Sequence, residues 1–267
     1  MNVNRSTYYK HFNSRASNRE KENQHIRSCI LEIFSSSKYR FGSHKIKQRL
    51  LTEYGINISL GRVYRLMKDM QLPKQSSPKP KYCYTHHSSH NMDCPNILKQ
   101  QFNPHSPNQV WVSDITYIRV QAYFCYLCVI IDLYARKVIA YRTSRRIDSD
   151  LAIKTLNTAL EQRGYPTGVL FHSDRGVQYT CGAFKNALLN AGFVQSFSAK
   201  GHPYDNAVAE AFFKFLKKEE TNRRTYNSIQ ELNISLFEYV NFYNTQRPHS
   251  SNDYLTPKQK EDIFFNT

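Results

Sequence analysis

The chain has 267 residues, of which 40% are hydrophobic and 13% aromatic, a composition that fits a packed core and excludes a disordered polymer. Its 37 Lys and Arg outnumber its 21 Asp and Glu, which gives a formal net charge of +16 at pH 7. The longest apolar run, at 122–131, is about half of what a membrane helix needs, so we expect no membrane span, no signal peptide and a cytoplasmic protein.

The positive charge is concentrated near the N-terminus. Residues 1–80 hold 16 Lys and Arg against 5 Asp and Glu, so they account for +11 of the total. A basic block of this kind is typical of a nucleic-acid binder, because side chains that neutralise phosphates release counterions. A solubility charge or an acidic protein partner is the alternative explanation.

Residues 25–72 predict a helix–turn–helix unit. Apolar residues recur at helical spacing in three segments, represented by Ile26, Ile30 and Phe34, then Ile46, Leu50 and Leu51, then Val63, Leu66, Met67 and Met70. Ser59 is placed to cap the third helix. Arg62, Arg65 and Lys68 lie largely off its apolar stripe, where a recognition helix would contact DNA. The alternative is a solvated basic face on a small helical packing module.

Residues 73–108 predict a polar linker, since they contain six prolines, many Ser, Asn and His residues, and little periodicity. This segment either lies against nucleic acid or acts as a tether. It also holds five potential zinc ligands, namely Cys83, His86, His87, His90 and Cys94. No helical pattern orients them, so we interpret the stretch as linker. Cys125 and Cys128 point to opposite faces of a predicted strand, which favours core packing over metal binding.

From residue 109 the pattern changes to alternating strands and helices. Strands are predicted at 110–120, 122–131, 136–141, 168–174 and 194–197, and helices at 149–162, 181–190 and after residue 206. This order indicates a mixed sheet with helices on both sides. A last helix at about 228–244 precedes a tail that contains Arg247 and His249, which either cap the core or contact DNA.

Three carboxylates stand out in this region. Asp114 lies in phase with the apolar face of the strand 110–120, where an uncompensated charge is costly and a bound cation is a common solution. Asp174 ends a strand, and Glu210, 35 intervening residues later, lies on a helix that follows two potential caps, Asp205 and Asn206. Oxygen ligands of this type suit paired Mg²⁺ or Mn²⁺ ions in phosphoryl transfer. The rival carboxylates are Asp132, Asp148, Asp150 and Asp205, the last of which we assign to capping.

The predicted helix around Glu210 has two faces. Its apolar stripe is predicted to consist of Val208, Phe212, Phe215 and Leu216. Glu210, Lys214 and Lys217 share the other side, where both lysines are expected to face solvent and to follow a DNA backbone. An ordinary surface Glu–Lys pair is the alternative. Lys200, in the loop before the helix, is a candidate DNA contact or an exposed loop residue.

Four parts of the sequence resemble a known family. Trp-Val-Ser-Asp-Ile-Thr at 111–116, His-Ser-Asp-Arg-Gly-Val-Gln-Tyr at 172–179 and Gly-His-Pro-Tyr-Asp-Asn-Ala-Val-Ala-Glu at 201–210 resemble the three catalytic blocks of a DDE transposase. The tail, Tyr-Asn-Thr-Gln-Arg-Pro-His-Ser-Ser at 243–251 and Tyr-Leu-Thr-Pro at 254–257, is similar to the end of the retroviral-integrase-like core in bacterial insertion sequences. The resemblance runs from about residue 18 to 260 and is greatest to the second-frame product of two-frame elements.

The resemblance implies an α/β ribonuclease-H-like core, a mixed sheet flanked by helices, preceded by a small all-helical helix–turn–helix domain. The implied organisation is a basic DNA-binding region at 1–72, the linker at 73–108, a catalytic core at 109–225, and a C-terminal helix and tail at 226–267 that complete the core. It further implies that Asp114, Asp174 and Glu210 bind two Mg²⁺ or Mn²⁺ ions for DNA strand cleavage and strand transfer.

The implied partner is double-stranded DNA, both the terminal inverted repeats of an element and its target. The resemblance also implies a homo-oligomer on DNA, fusion to or help from an upstream-frame product, and a bacterial, nucleoid-associated location. The competing interpretations are a non-enzymatic DNA-binding regulator and a structure-specific nuclease on the same fold.

Overall fold

The computed structural model describes residues 17–73, 95–199 and 201–266. The chain divides into two compact units, residues 1–80 and 81–267. Within the described ranges, no helix combines the length and the apolar character that crossing a membrane requires. Lys200 and the five potential zinc ligands of the predicted linker lie outside the described residues.

Residues 17–73, the described part of the first unit, form three helices, α1 (Asn18–Ser36), α2 (Ser43–Tyr54) and α3 (Leu60–Asp69). Seven residues of the predicted stripes are buried between them: Ile26, Ile30, Phe34, Ile46, Leu50, Val63 and Leu66. Met67 and Met70, also predicted for the third stripe, are only half-buried. Leu51 is 43% exposed, so its predicted place in the second stripe is wrong. It lies about 100° further round α2 than its buried neighbour. Ser59 caps α3 as predicted, because its Oγ accepts a hydrogen bond from the backbone N–H of Arg62 at 3.3 Å.

The second unit is built on a five-stranded sheet with the order β3-β2-β1-β4-β5. The strands are β1 (Val110–Val120), β2 (Tyr123–Asp132), β3 (Lys137–Ser144), β4 (Leu170–Ser173) and β5 (Val194–Phe197), which confirms all five predicted strands. The first three form an antiparallel meander, whereas β4 runs parallel to β1 and β5 runs parallel to β4. Cys125 and Cys128 of β2 are fully buried, which confirms the packing role predicted for them.

Helices cover both faces of this sheet. They are α4 (Ser149–Arg163), α5 (Val177–Thr180), α6 (Gly182–Asn190), α7 (Ala207–Glu219), α8 (Ile229–Thr245) and α9 (Pro257–Phe265). Helices α4 to α6 bury one face in an apolar cluster that includes Trp111, Phe171 and Phe184. On the rest of the sheet α7 packs against β1 and α8 against β3. The predicted mixed sheet flanked by helices is confirmed, whereas periodicity alone does not predict the single turn α5 or the terminal α9.

Residues 95–108 belong to the second unit and are bonded to β5, although the sequence predicts them as the end of a linker. The backbone N–H of Phe197 in β5 donates to Pro95 O at 3.0 Å. The Oγ of Ser196 accepts hydrogen bonds from the backbone N–H groups of Ile97 and Leu98, at 3.0 and 3.1 Å. Leu98 is only 2% exposed. The segment is therefore polar in sequence but hydrogen-bonded to β5.

Buried polar contacts attach the C-terminal helix and tail. The carboxamide of Asn244 on α8 makes two hydrogen bonds with the backbone of Val138 in β3, at 3.0 and 2.9 Å. Arg247, 3% exposed, forms a bidentate pair with the carboxylate of Glu219 at the end of α7, with a closest N–O distance of 2.9 Å. His249 is also buried, against the end of α8. Of the two roles that the sequence leaves open for Arg247 and His249, these contacts support capping of the core.

Candidate active site

Two aspartates meet at one end of the sheet because β1 and β4 are parallel neighbours. Val112 of β1 is in register with His172 of β4. Asp114 and Asp174 lie two residues beyond this pair, each along its own strand direction. They therefore reach the same level of the sheet, and because side chains alternate along a strand they lie on the same face. Neighbouring strands are about 4.8 Å apart, so this register places the two carboxylates side by side.

The surroundings of Asp114 make its negative charge costly. Burial raises the pKa of its carboxyl group to about 8, and the carboxylates of Asp174 and Glu210 contribute to this rise. The backbone N–H of Ile115, which donates to Asp114 Oδ1 at 2.8 Å, and the ammonium group of Lys217 lower the same pKa. Asp174 and Glu210 are therefore both close enough to Asp114 to act on its charge.

A short turn holds Asp174 in place. Its Oδ1 accepts a hydrogen bond from the backbone N–H of Gly176 at 3.0 Å, and α5 follows directly. In α5 the side chain of Tyr179 is fully buried, and its hydroxyl lies 2.8 Å from Ser113 Oγ. Because Ser113 donates its proton to a backbone carbonyl of β2, it accepts the proton of Tyr179. Tyr179 thus ties the turn after Asp174 to the residue that precedes Asp114.

The start of α7, which carries Glu210, is held against β1. Asp205 accepts three 2.8 Å hydrogen bonds, two from side chains of residues 95–108 and one from a loop N–H. The prediction that Asp205 caps α7 is therefore wrong, because its oxygens bind the segment that precedes the sheet. Asn206 occupies the N-cap position without a capping bond and donates instead to Ser113 O at 3.1 Å. Glu210 lies on the exposed side of α7, and partial burial raises the pKa of its carboxyl group.

These carboxylates have the donor chemistry of a divalent-cation site. Within the described residues, no set of three or more His, Cys, Asp or Glu side chains is drawn together closely enough to hold a metal ion. Asp114, Asp174 and Glu210 nevertheless offer oxygen donors in one electrostatic environment where negative charge is in excess. Hard divalent cations prefer such donors. The three carboxylates fit a divalent cation in ligand type and in charge. Binding by all three requires the side chain of Glu210 to turn from solvent toward the two aspartates.

The two lysines of α7 differ in exposure. Lys214 is exposed, as predicted. Lys217 is half-buried, with its Nζ 5.0 Å from the ring centroid of Tyr117, and burial lowers its pKa while Asp114 acts in the opposite direction. The predicted solvent exposure of Lys217 is therefore wrong. The buried side of α7 is formed by Ala209, Phe212, Phe213, Leu216 and Glu219. Val208 and Phe215, which the sequence predicts as members of the apolar stripe, are only half-buried.

In the helical unit, Arg62 is engaged by neighbouring side chains. Its guanidinium lies 2.9 Å from the Glu22 carboxylate and donates to Asn23 Oδ1 at 2.8 Å, both on α1. Arg65 and Lys68 are exposed. Arg62 therefore links α1 to α3, and contact with DNA remains a prediction for all three basic residues.

The rival carboxylates have structural partners. Asp132 is fully buried, accepts two backbone N–H bonds and lies 3.3 Å from Arg163. Asp148 caps α4 by accepting the backbone N–H of Leu151 at 3.0 Å, and Asp150 belongs to an exposed ion pair one turn apart on the same helix. Each of the three is explained without a catalytic role.

Tyr179, Ser113 and Asn206 support this site, and the sequence does not predict the contacts that they make. One signal is present in the sequence, because Ser113 lies on the same strand face as Trp111 and a buried hydroxyl needs a hydrogen-bond partner. The partner itself is 66 residues away, and no local pattern identifies it.

Known protein families match most of the chain. An HTH-like domain matches residues 21–82, an integrase core domain matches residues 104–203, and a second integrase core domain family matches residues 191–257. The solved structure of the HTLV-2 integrase catalytic core domain, in complex with magnesium, is 16% identical with a TM-score of 0.47, and the match covers 59% of this chain and 98% of that one.

Curated relatives match nearly end to end. The insertion element IS600 31 kDa protein of Shigella sonnei is 34% identical over 257 residues, which cover 96% of this chain and 93% of the relative. The transposase of insertion sequence element IS904 from Lactococcus lactis is 34% identical over 92% of this chain and 97% of its own length. The transposase InsF of insertion sequence IS3A from Escherichia coli is 34% identical over 93% of this chain and 86% of its own length.

Proposed function

This chain belongs to the transposases of bacterial insertion sequences, and we propose that Asp114, Asp174 and Glu210 are its catalytic carboxylates. Its function is DNA transposition, and its core is that of a polynucleotidyl transferase with a ribonuclease-H-like sheet. The observation that carries the proposal is the parallel register of β1 and β4, which brings Asp114 beside Asp174 while Glu210 acts on the charge of Asp114.

The proposed site would hold two Mg²⁺ or Mn²⁺ ions through the carboxylates of Asp114, Asp174 and Glu210. When bound, such ions activate the attacking oxygen and offset negative charge on the leaving oxygen. Tyr179 and Asn206 keep the strand ends and the α7 start together, so the carboxylates stay within reach of one another. Positioning of this kind matters, since a displacement of about 1 Å costs on the order of a hundredfold in rate.

The proposed reaction consists of two in-line displacements at this site. In the first, water attacks a phosphodiester at the end of the element, the P–O bond to the 3′ oxygen breaks, and a free 3′-OH is released. In the second, that hydroxyl attacks a phosphodiester of target DNA, and a new P–O bond joins the two strands as another 3′-OH leaves. Lys214 and Lys217 lie on the helix of Glu210, where they would bind phosphates near the cut.

The proposed DNA partners are the terminal inverted repeats of the element and its target. Arg65 and Lys68, exposed on α3, are the proposed contacts of the helical unit. Because two ends of an element have to be joined, we extend the proposal to a homo-oligomer on DNA, helped by or fused to an upstream-frame product. Action on DNA would place the protein at the bacterial nucleoid.

Divalent cations are expected to stabilise the folded chain by relieving repulsion between the three carboxylates. With Mg²⁺ or Mn²⁺ at about ten times the dissociation constant, the stabilisation is about 1.4 kcal/mol, or roughly 3 °C in Tm. Differential scanning fluorimetry without DNA measures this shift. Asp174→Asn should lose most of it, whereas Asp150→Asn, which alters an exposed aspartate on α4, should keep it. Equal shifts in both variants would contradict the proposed site.

Removing residues 1–94 is expected to weaken DNA binding and to make it less sensitive to salt. Residues 1–80 carry +11 of the +16 charge, and the slope of log K against log salt falls by about 0.9 for each phosphate that the protein no longer neutralises. The remaining chain should begin at Pro95, because residues 95–98 are hydrogen-bonded to β5. Fluorescence anisotropy with duplex DNA at several salt concentrations measures both quantities. In the full chain, Arg65→Ala with Lys68→Ala should lower the salt slope by about two. Identical salt slopes for the full chain and the shortened chain would exclude a role in DNA binding for residues 1–94.

A further inference from the structure

A groove of about 450 Å³ lies at the far end of the β1–β2 hairpin. One wall is the hairpin end, residues 117–124, and the other is the connection from α7 to α8, residues 221–227. The two walls are hydrogen-bonded together, since the backbone N–H of Gln121 donates to Tyr226 O at 3.1 Å. The groove is thus formed by fixed backbone on both sides.

The lining of the groove is basic and aromatic. Arg119, Lys217 and Arg224 contribute positive charge, and none of the lining residues in the described part of the chain is acidic. Arg224 is held by the carboxylate of Glu220 at 3.3 Å, but 47% of its side chain stays exposed. Such a lining is complementary to a polyanion.

Two exposed rings lie among these cations. Tyr117 is 58% exposed and Phe124 is 50% exposed, and their centroids are 5.2 Å apart in an edge-to-face arrangement. Large apolar rings on a sheet are usually covered, and aromatic rings beside arginines are the surface on which unpaired bases stack. A fully paired duplex would offer only phosphates to this groove, because its bases are already stacked on each other.

The groove adjoins the catalytic carboxylates through Lys217. This side chain lines the groove, lies above the ring of Tyr117, and is near enough to Asp114 to act on its charge. Along β1, Tyr117 is three residues beyond Asp114, so its side chain leaves the opposite face of the strand, and Lys217 is the side chain that lies near both. The separation along the strand is roughly 10 Å. That distance corresponds to one or two nucleotides of an extended strand.

We propose that this groove holds unpaired nucleotides of the DNA strand adjacent to the scissile phosphate. A base stacks on Tyr117 and Phe124, while Arg119 and Lys217 contact the flanking phosphates. The choice of DNA as the occupant rests on the proposed function of the carboxylates, whereas the preference for unpaired bases rests on the exposed rings. The groove would thereby keep the end of a duplex open next to the site where the strand is cut.

The test uses the full chain in EDTA, so that binding is measured without cleavage. The probe is fluorescent oligothymidylate of about 12 nucleotides, with a blunt duplex of the same length as comparison. Phe124→Ala should weaken oligothymidylate binding by about tenfold and leave duplex binding within twofold, and Phe124→Trp should restore it. The matched control is Phe237→Ala, which removes a ring that is 67% exposed on α8. Arg119→Ala should lower the salt slope for oligothymidylate by about 0.7.

Photo-cross-linking locates the bound strand directly. Oligothymidylate that contains 5-iodouracil should cross-link to the peptide that includes Tyr117 and Phe124, identified by mass spectrometry. Equal oligothymidylate affinity for Phe124→Ala and Phe237→Ala, with cross-links elsewhere in the chain, overturns the proposal. The proposal is also overturned if polyglutamate displaces oligothymidylate only when Phe124 is present and no cross-links to that peptide form. That result would assign the groove to an acidic protein. Cation-dependent cleavage of duplex DNA tests the carboxylates separately, so failure of the groove proposal leaves the proposed function standing.

Discussion

Replacing Asp114 by Asn is expected to reduce DNA cleavage by at least about a thousandfold while DNA binding stays within about twofold. Asn keeps the size of the side chain but loses the charge that the proposed cations require, and such cations contribute several kcal/mol to the transition state. Asp174→Asn and Glu210→Gln should behave in the same way. Nicking and joining of DNA that carries the flanking inverted repeats of the element measure the two steps, with Mg²⁺ or Mn²⁺ present.

The control for this series is Asp150→Asn, which should cut and join like the unchanged chain because Asp150 belongs to an exposed ion pair on α4. Separate measurement of the two steps also separates the competing interpretations. A nuclease would nick without joining, and a DNA-binding regulator would do neither. Wild-type cleavage by any of the three carboxylate variants would remove that residue from the proposed site.

Replacing Arg247 by Ala is expected to destabilise the second unit by about 3–5 kcal/mol, because Glu219 would keep a buried charge without its partner. Both side chains are almost fully buried, and the Tyr239 hydroxyl donates to the same carboxylate at 3.1 Å. The Arg247 guanidinium also stacks on Phe215, 3.9 Å from the ring centroid. Urea unfolding followed by tryptophan fluorescence measures the change in the free energy of unfolding, since Trp111 lies in the core of this unit.

A double variant distinguishes loss of the pair from loss of packing. Arg247→Met with Glu219→Gln removes both charges and retains most of the volume, so it should recover part of the stability. Arg65→Ala, at an exposed arginine of α3, should change stability by less than about 0.5 kcal/mol. If Arg247→Ala unfolds at the same urea concentration as Arg65→Ala, the pair does not hold α7 to the tail.

Sequence patterns predict those parts of this fold that local chemistry determines. Alternating apolar residues give β1 its bounds, and Ser59 caps α3 as its position indicates. The candidate carboxylates are also visible, since Asp114 is a charge within an apolar strand and Asp174 ends the next buried one. Their proximity depends on the parallel pairing of β1 with β4, which the order of strands and helices indicates without giving the register.

The remaining features depend on partners that are distant in the chain. Asp205 resembles a helix cap locally, but its oxygens bind Asn96 and Gln100, more than 100 residues earlier. Lys217 has the spacing of a surface lysine, yet the ring of Tyr117, 100 residues earlier in the chain, lies beneath its ammonium group. The composition of residues 95–108 predicts a linker, because amino-acid composition carries no information about the backbone hydrogen bonds that attach this segment to β5. Periodicity reports which face of an element is apolar, not which element covers it.

The contacts at β3 and β5 also affect how copies of this protein can associate. These two strands are the outermost in the sheet, and an unpaired outer strand is a template for aggregation. Here the carboxamide of Asn244 occupies both backbone groups of Val138, and residues 95–98 lie along β5. Joining of two sheets is thereby blocked at these positions, which favours helical surfaces or the DNA itself for the homo-oligomer proposed above. A shortened chain that begins at residue 109 would expose β5 and is the form most prone to precipitate.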